Sequence, residues 1–443
     1  MSATPSSIAY LFDLEQFGIK LGLDNIRTLC EALEHPERDF ASVIVAGTNG
    51  KGSVAAMLET ALRSAGYPTG RFTSPHLTRV EERFVIDGHP VAETALVYEA
   101  DRLRTTVRQL QDTGRLGPPP TFFEATTAIA LSLFQHARVQ VAVLEVGMGG
   151  RFDATNVVTP IAAGITSIDF DHQQFLGSTL ESIAFEKAGV IKPGILVVVG
   201  ETKPKALRVL QDACRERDAA FVASTDSTTT HVTMRNGRTE LELTTPVRHY
   251  EPVLMALRGR HQVRNATVAV RLLEELHKCG MPVPAAAIVE GLAGTRWPGR
   301  LDLVRVDERR SLLLDAAHNV AAATALAEYL REAHPAGARL VFAVLRDKDA
   351  RGMVEALRDA VTHVTCVPLK THRAHDPNEL AAIVRRVDPA LPVSLAESPR
   401  AGVDVAWQQD ALACAAGSVY LVGELIDELR RDDPTRALAR LPG

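Results

Sequence analysis

Apolar positions along this chain fall into two alternating rhythms. Short runs such as Ser42-Val43-Ile44-Val45-Ala46 are nearly apolar throughout, as strands covered on both faces of a parallel sheet are. Between them lie segments whose apolar residues recur at steps of three and four. Val54, Met57, Leu58, Ala61, Leu62 and Ala65 mark one such helix face. The alternation predicts strands at 42–46, 70–73, 139–146, 161–168 and 195–199, with helices at 53–66, 92–112, 123–137 and 179–189. Residues 231–245 alternate about Asn236-Gly237, which predicts a β-hairpin, and helical segments follow near 262–279 and 284–292. The breaker-rich Arg296-Trp297-Pro298-Gly299-Arg300 then interrupts the pattern. After it the chain restarts with strands near 301–306, 311–315, 339–345, 363–368 and 418–422, and helices between them.

The first strand runs into Gly47-Thr48-Asn49-Gly50-Lys51-Gly52-Ser53 and then directly into a helix. Strand, glycine-rich turn and helix N-terminus together make an anion site. Glycines let backbone N–H groups turn inward, the helix dipole adds partial positive charge, and Lys51 adds a full one. Ser53 stands where a P-loop hydroxyl ligates Mg2+. The spacing departs from GxxxxGK[ST], because the loop is shorter and Gly52 separates Lys51 from Ser53. The expected fold class is α/β: a P-loop N-terminal domain with a mostly parallel sheet, residues 1–300, and a smaller Rossmann-like α/β C-terminal domain, residues 301–443. Ligands in open α/β sheets bind at the carboxyl ends of strands, so residues at those ends are the candidates for chemistry.

Composition narrows the function class. The 443 residues are 46% hydrophobic and 23% charged, ordinary for a globular protein. A net charge of −5 with no run of Lys or Arg argues against a nucleic-acid partner. Five widely spread cysteines with no CxxC read as reduced thiols, not as a zinc site or disulfide framework. No apolar stretch approaches the roughly 18 residues that span a bilayer. Asp13 and Glu15 interrupt the run that a signal peptide would need. A cytoplasmic monomer with small-molecule substrates is expected.

Glu145 ends an otherwise apolar strand, beside the phosphate loop, in Leu144-Glu145-Val146-Gly147-Met148-Gly149-Gly150-Arg151-Phe152-Asp153-Ala154. A carboxylate there suits Mg2+, which prefers hard oxygen ligands; the plain alternative is an ion pair with Arg151. His172 follows the strand 161–168 and either is structural or joins Glu145 around a metal. Lys187 closes a helix just before Gly189, where the dipole favours a cation, and nothing else singles it out. Arg300 in the interdomain joint could clamp phosphate bidentately. Asp315 could accept from ribose hydroxyls and His318 could approach a reacting phosphate. A surface ion pair or a helix cap is the alternative for each.

Taken together, these motifs resemble the folate branch of the Mur ligase superfamily, the folylpolyglutamate synthase/dihydrofolate synthase family of ATP-dependent amide-bond formers. The resemblance runs from YLFDLEQFGIKLGLDNIRTLCEAL at 10–33 through AGTNGKGS at 46–53, TSPHL at 73–77, TFFEATT at 121–127 and LEVGMGGRFDATN at 144–156. It continues through DHQQFLGSTLESIAFEKAG at 171–189, WPGR at 297–300, DAAHN at 315–319 and GSVYLVGE at 417–424. It implies that Thr48, Asn49, Gly50, Lys51, Gly52 and Ser53 hold ATP phosphates, with Asn265, Arg300 and Asp315 as further nucleotide contacts. It implies two Mg2+ ions on Ser74, Glu145, His172 and Lys187, the last as an N-carboxylated lysine. Lys51, Lys187 and His318 are the implied catalytic residues. Thr121, Phe122, Phe123 and Glu124, with Phe152, Asp153 and Ala154, fall on the dihydropteroate positions.

The TFFE segment favours a bifunctional enzyme, which adds L-glutamate to 7,8-dihydropteroate and to the tail of reduced folates, over a monofunctional folylpolyglutamate synthase. A peptidoglycan Mur ligase would need a further N-terminal domain, and only about forty residues precede the loop. A nucleotide-switched regulator would leave the aromatic segment unexplained. Met148, Phe152 and Val190 depart from the residues expected in the family. Neither a role for a monovalent cation nor a general base can be read from the chain.

Overall fold

The computed structural model describes residues 6–18 and 20–432; Ile19, inside the expected 10–33 motif, and the chain ends of the expected domains lie outside the described residues. Two compact units emerge. One holds the chain up to Thr229, then Leu243–Tyr250 and Arg264–Leu292; the other holds Thr230–Glu242, Glu251–Val263 and the chain from Ala293 onward.

The first unit is built on eight strands: β1 (Ala41–Ala46), β2 (Thr69–Phe72), β3 (Phe84–Ile86), β4 (His89–Pro90), β5 (Val141–Glu145), β6 (Ala162–Ile165), β7 (Leu196–Val199) and β8 (Ala220–Ala223). Their order is β4-β3-β2-β5-β1-β6-β7-β8. The run from β2 to β8 is parallel, while β3 and β4 add an antiparallel edge. Val43, Ile44, Val45 and Ala46 are fully buried, as helices on both faces require. Parallel pairing puts Val45 opposite both Glu145 and Gly164, so the carboxyl ends of β5, β1 and β6 lie side by side. That edge carries the site.

The three strands β9 (Thr229–Arg235), β10 (Arg238–Thr244) and β11 (His249–Leu254) form a separate sheet in the order β11-β10-β9. Asn236 and Gly237 both have positive φ, 50° and 70°, the geometry of a two-residue hairpin turn.

In the second unit, β12 (Asp302–Arg305), β13 (Ser311–Asp315), β14 (Ala338–Phe342), β15 (Val361–Cys366), β16 (Val393–Leu395) and β17 (Leu412–Ala416) form one sheet. Their order is β12-β13-β17-β14-β15-β16, parallel except for β12.

One expected strand is corrected. Residues 418–422 open the helix Val419–Asp432. Leu421, Val422, Leu425 and Ile426 are its buried residues, a helical spacing that a five-residue apolar run cannot reveal by itself. The strand sits just before it, in Leu412–Ala416, where small side chains fit between two neighbouring strands. The short strands β3, β4, β8 and β16 were also not expected; each spans only two to four residues, too few for a period to register. Among the described residues, no helix is long and apolar enough to cross a membrane.

The helix Lys51–Ser64, which begins at the glycine loop, packs closely on the helix Ala285–Ala293. A Cβ on Gly291 would stand 2.9 Å from Met57 O and 2.8 Å from Ala61 Cβ, neither of which can swing away. Alanine gains about 1 kcal/mol of helix propensity over glycine, while overpacking costs about 1–3 kcal/mol. Gly291→Ala should therefore lower stability on balance. A fall in the urea or thermal midpoint checks this, and an unchanged or raised midpoint contradicts the close packing.

Candidate active site

Gly47 leaves β1 with φ 141°, and a Cβ there would collide with Thr166 Oγ1. Gly50, at φ 86°, caps the helix Lys51–Ser64, and a Cβ on it would collide with the Asn265 carboxamide. Glycine is required at both positions by conformation and by space. Thr48 N donates to Ser167 O at 2.6 Å, and Thr48 Oγ1 donates to Asp169 O at 3.1 Å. Thr166 Oγ1 donates to Asn49 O at 2.7 Å. The loop is thus braced from β6 by a threonine that sequence reasoning passed over; its only signal was a Thr-Ser pair closing an apolar strand.

Lys51 folds back over its own loop, its ammonium 3.1 Å from both Gly47 O and Thr48 O. Ser53 is buried, as the third residue of the helix Lys51–Ser64. Lys187 is the second cation here. It is buried, and its Nζ donates to Gly47 O at 2.7 Å. Lys187 lies in the last turn of the helix Leu180–Ala188, as local pattern expects, and packing turns it inward, onto the glycine loop. Burial, and then Lys51, push its pKa down to about 7, while Asp171 and Asp153 pull it back. Neutral amine is abundant at physiological pH.

Glu145, buried at the end of β5, accepts from Ser74 N at 3.0 Å. Arg151 pairs instead with Glu186, at 2.6 Å, so the alternative of a Glu145–Arg151 ion pair is not realised. His172 adopts φ 48° at the start of a short helix, with Nε2 3.9 Å from Asp171 Oδ1. Among the described residues, no group of three or more His, Cys, Asp and Glu side chains is gathered into a metal cage. The carboxylate of Glu145 and the hydroxyls of Ser74 and Ser53 nonetheless fit Mg2+, which takes few protein oxygens and completes its shell with phosphate and water.

The aromatic segment starts the helix Phe122–His136. Thr121 and Glu124 form a capping box: Thr121 N donates to Glu124 Oε2 at 2.7 Å and Glu124 N to Thr121 Oγ1 at 3.2 Å. Phe122 stacks on Phe12 at 5.8 Å and carries the Arg83 guanidinium on its ring. Phe123 packs 5.8 Å from Phe72 and closes against Gly147. Asp153 is also a cap. Its carboxylate accepts from Met148 N at 2.9 Å and Thr155 N at 3.1 Å, and burial raises its pKa against those bonds. Ala154 is buried behind it, whereas Phe152 is partly exposed, with the Arg151 guanidinium 4.4 Å from its ring centre. Glu124 and Asp153 therefore hold the local backbone, and the exposed aromatic surface beside them comes from Phe152.

In the second unit, Asp315 ends β13 and accepts from Leu301 N at 2.8 Å and Ala317 N at 2.9 Å. Burial raises its pKa and the neighbouring Arg300 opposes the rise. His318 Nδ1 lies 2.9 Å from Ala316 O; a carbonyl only accepts, so Nδ1 carries the proton. Arg300 Nη1 donates to Gly299 O at 3.1 Å. The WPGR and DAAHN motifs, about fifteen residues apart in sequence, are thereby tied into one structure.

Residues 94–273 match the Mur ligase middle domain, and residues 299–423 match the Mur ligase glutamate ligase domain. The dihydrofolate synthase/folylpolyglutamate synthase of Bacillus subtilis is 33% identical over 427 residues, covering 94% of this chain and 96% of that protein. An E. coli FolC structure in complex with DHPP and ADP superposes with a TM-score of 0.85 at 29% identity, covering 97% of this chain and 99% of the other. A bifunctional folylpolyglutamate synthase/dihydrofolate synthase with Mn, AMPPNP and L-glutamate bound gives 0.81 at 31% identity, covering 97% and 98%. Phosphate loop, strand-end glutamate and inward lysine occur here within a chain similar to these proteins along nearly its whole length: the chain belongs to the dihydrofolate synthase/folylpolyglutamate synthase family of the Mur ligases.

Proposed function

We propose that this chain is an ATP-dependent ligase that joins L-glutamate to 7,8-dihydropteroate, and to the glutamate tail of reduced folates, through an acyl phosphate. The γ-phosphoryl group of ATP passes to the acceptor carboxylate. The α-amine of glutamate then attacks the acyl carbon, the C–O bond to phosphate breaks, and the amine loses its proton. ADP, phosphate and an amide result. The observation that carries the reading is the pair of lysines, Lys51 and Lys187, converging on Gly47 O beside buried Glu145.

In this reading Thr48, Asn49, Gly50, Lys51, Gly52 and Ser53 hold the phosphates, and Asn265, Arg300 and Asp315 hold the rest of the nucleotide. Residues 1–300 carry the ATP loop and the pterin site, and residues 301–443 supply Asp315 and His318, the latter near the reacting phosphate. Ser74, Glu145, His172 and N-carboxylated Lys187 hold two Mg2+ ions, which when bound neutralise charge on phosphoryl oxygens. Carboxylation of Lys187 forms an N–C bond between neutral amine and CO2 and releases a proton, turning a cation into an oxygen donor. The depressed amine pKa makes that step accessible near neutrality. Phe123 and Phe152 contribute aromatic surface to dihydropteroate, while Thr121, Phe122, Glu124, Asp153 and Ala154 shape its pocket. The enzyme acts as a cytoplasmic monomer.

Purified protein with ATP and glutamate, offered dihydropteroate and tetrahydrofolate separately, tests the whole reading. ADP release with both acceptors supports it; release with tetrahydrofolate alone removes the dihydrofolate synthase half; release with neither overturns it.

Three variants test the parts. Glu145→Gln should lower kcat about 100-fold or more, with a higher Mg2+ requirement; near-normal turnover at low Mg2+ would sink the metal assignment. Phe123→Ala should lower kcat/KM for dihydropteroate about tenfold more than for tetrahydrofolate, since it removes ring packing against a pterin. Equal losses would refute a dedicated pterin role. Lys187→Ala should abolish most activity, with partial rescue by a small carboxylic acid that replaces the carbamate. In the wild type, protonation below about pH 7 converts the amine to ammonium, so the carbamate and the activity should both fall on that side. Mass spectrometry or electron density showing an unmodified Lys187 in the fully active enzyme would exclude this role.

A further inference from the structure

A cavity of about 270 Å³ lies within the second unit, and its wall is basic. Arg238, Arg258, Arg296 and Arg300 line it, with Asp302 as the one carboxylate and Trp297 as the one aromatic ring. The chain as a whole carries a net charge of −5, so this concentration of guanidinium groups is not a reflection of composition.

Three of the arginines are oriented by backbone carbonyls. Arg238 donates to Met255 O at 3.4 Å, Arg258 to Gly237 O at 3.0 Å, and Arg300 to Gly299 O at 3.1 Å. These are carbonyls, which orient a guanidinium without cancelling its charge. Asp302 itself accepts from Gly299 N at 3.3 Å. Arg238 and Arg258 are close enough that burial, and then repulsion from Arg258, lower the Arg238 pKa. Like charges held together in a concavity focus positive potential into it. The carbonyl bonds orient the Arg238, Arg258 and Arg300 forks before any ligand arrives, which lowers the ordering cost of binding.

We propose that this cavity is a binding site for a compact inorganic phosphate anion, orthophosphate or pyrophosphate, held by Arg238, Arg258 and Arg296 with Arg300 at its edge. Guanidinium forks match the oxygen pairs of a phosphate bidentately. Size is compatible with the same class: about 270 Å³ accepts one or two phosphoryl groups. Three of the four arginines have no part in the ligase reading, so the site stands apart from it. Arg300 belongs to both, and a bound anion would draw its guanidinium away from a nucleotide.

Trp297 supplies a reporter at the cavity wall, and Trp407 is the chain's other tryptophan. The full chain carrying Trp407→Phe is titrated with orthophosphate and with pyrophosphate, in saturating ADP and Mg2+ and at constant ionic strength set with chloride. Saturable change in Trp297 emission is expected. Arg296→Gln should raise the apparent Kd about tenfold or more, the worth of one charge-assisted contact. Arg238→Gln should do the same, and Arg296→Lys should recover part of the loss. Arg296→Gln removes an exposed side chain, and an unchanged melting curve confirms that it folds. Equilibrium dialysis with labelled phosphate, on the same proteins without the Trp407 change, gives an independent reading. No saturable response, an equal response in the arginine variants, or a response that ADP abolishes would each overturn the proposal. So would a response to γ-linked triglutamate with none to either phosphate.

Discussion

Two lysine side chains share one backbone carbonyl. Gly47 O accepts from Lys51 at 3.1 Å and from Lys187 at 2.7 Å, although the lysines stand on different helices. Placing a buried lysine beside a second, partly buried one is unfavourable for both charges unless something anionic belongs there. The backbone makes it possible. Gly47 turns through a conformation reserved for glycine, Thr166 supports the loop from below, and Asn265 fills the space beside Gly50. Each of these contacts joins a different part of the first unit to the same turn. A parallel sheet permits this convergence, because all its carboxyl ends lie on one edge.

The acidic groups around that turn divide into two kinds. Asp153 and Glu124 have their oxygens occupied by backbone N–H groups and a neighbouring threonine, and they act as structural caps. Glu145 is different: it is the final residue of a buried strand and accepts from Ser74 N, on the segment that follows β2. A carboxylate supported in this way keeps a fixed direction. In the second unit, Asp315 combines the roles. Its two oxygens bind Leu301 N and Ala317 N, so one side chain joins the joint after Arg300 to the start of DAAHN.

The sequence by itself determined the elements whose signal is local. β1, its glycine loop and the following helix were legible because burial on both faces forces an apolar run and because the loop's backbone admits only glycine at Gly47 and Gly50. The hairpin at Asn236-Gly237 was legible for a similar reason, since positive φ at both positions restricts the residue choice. Family membership was legible in the ordered set of motifs. What only the tertiary structure decided depends on partners far away in sequence. Local pattern made Lys187 a helix-end cation, whereas packing turned it onto a carbonyl 140 residues earlier. It also separated Glu124 and Asp153, as caps, from Phe152, whose ring remains partly exposed. The apolar run at 418–422 had the composition of a strand, but the small residues 412–416 took the central place in the sheet. Periodicity reports how much of a segment is buried; which neighbour buries it, and which charge it then meets, is a property of the assembled chain.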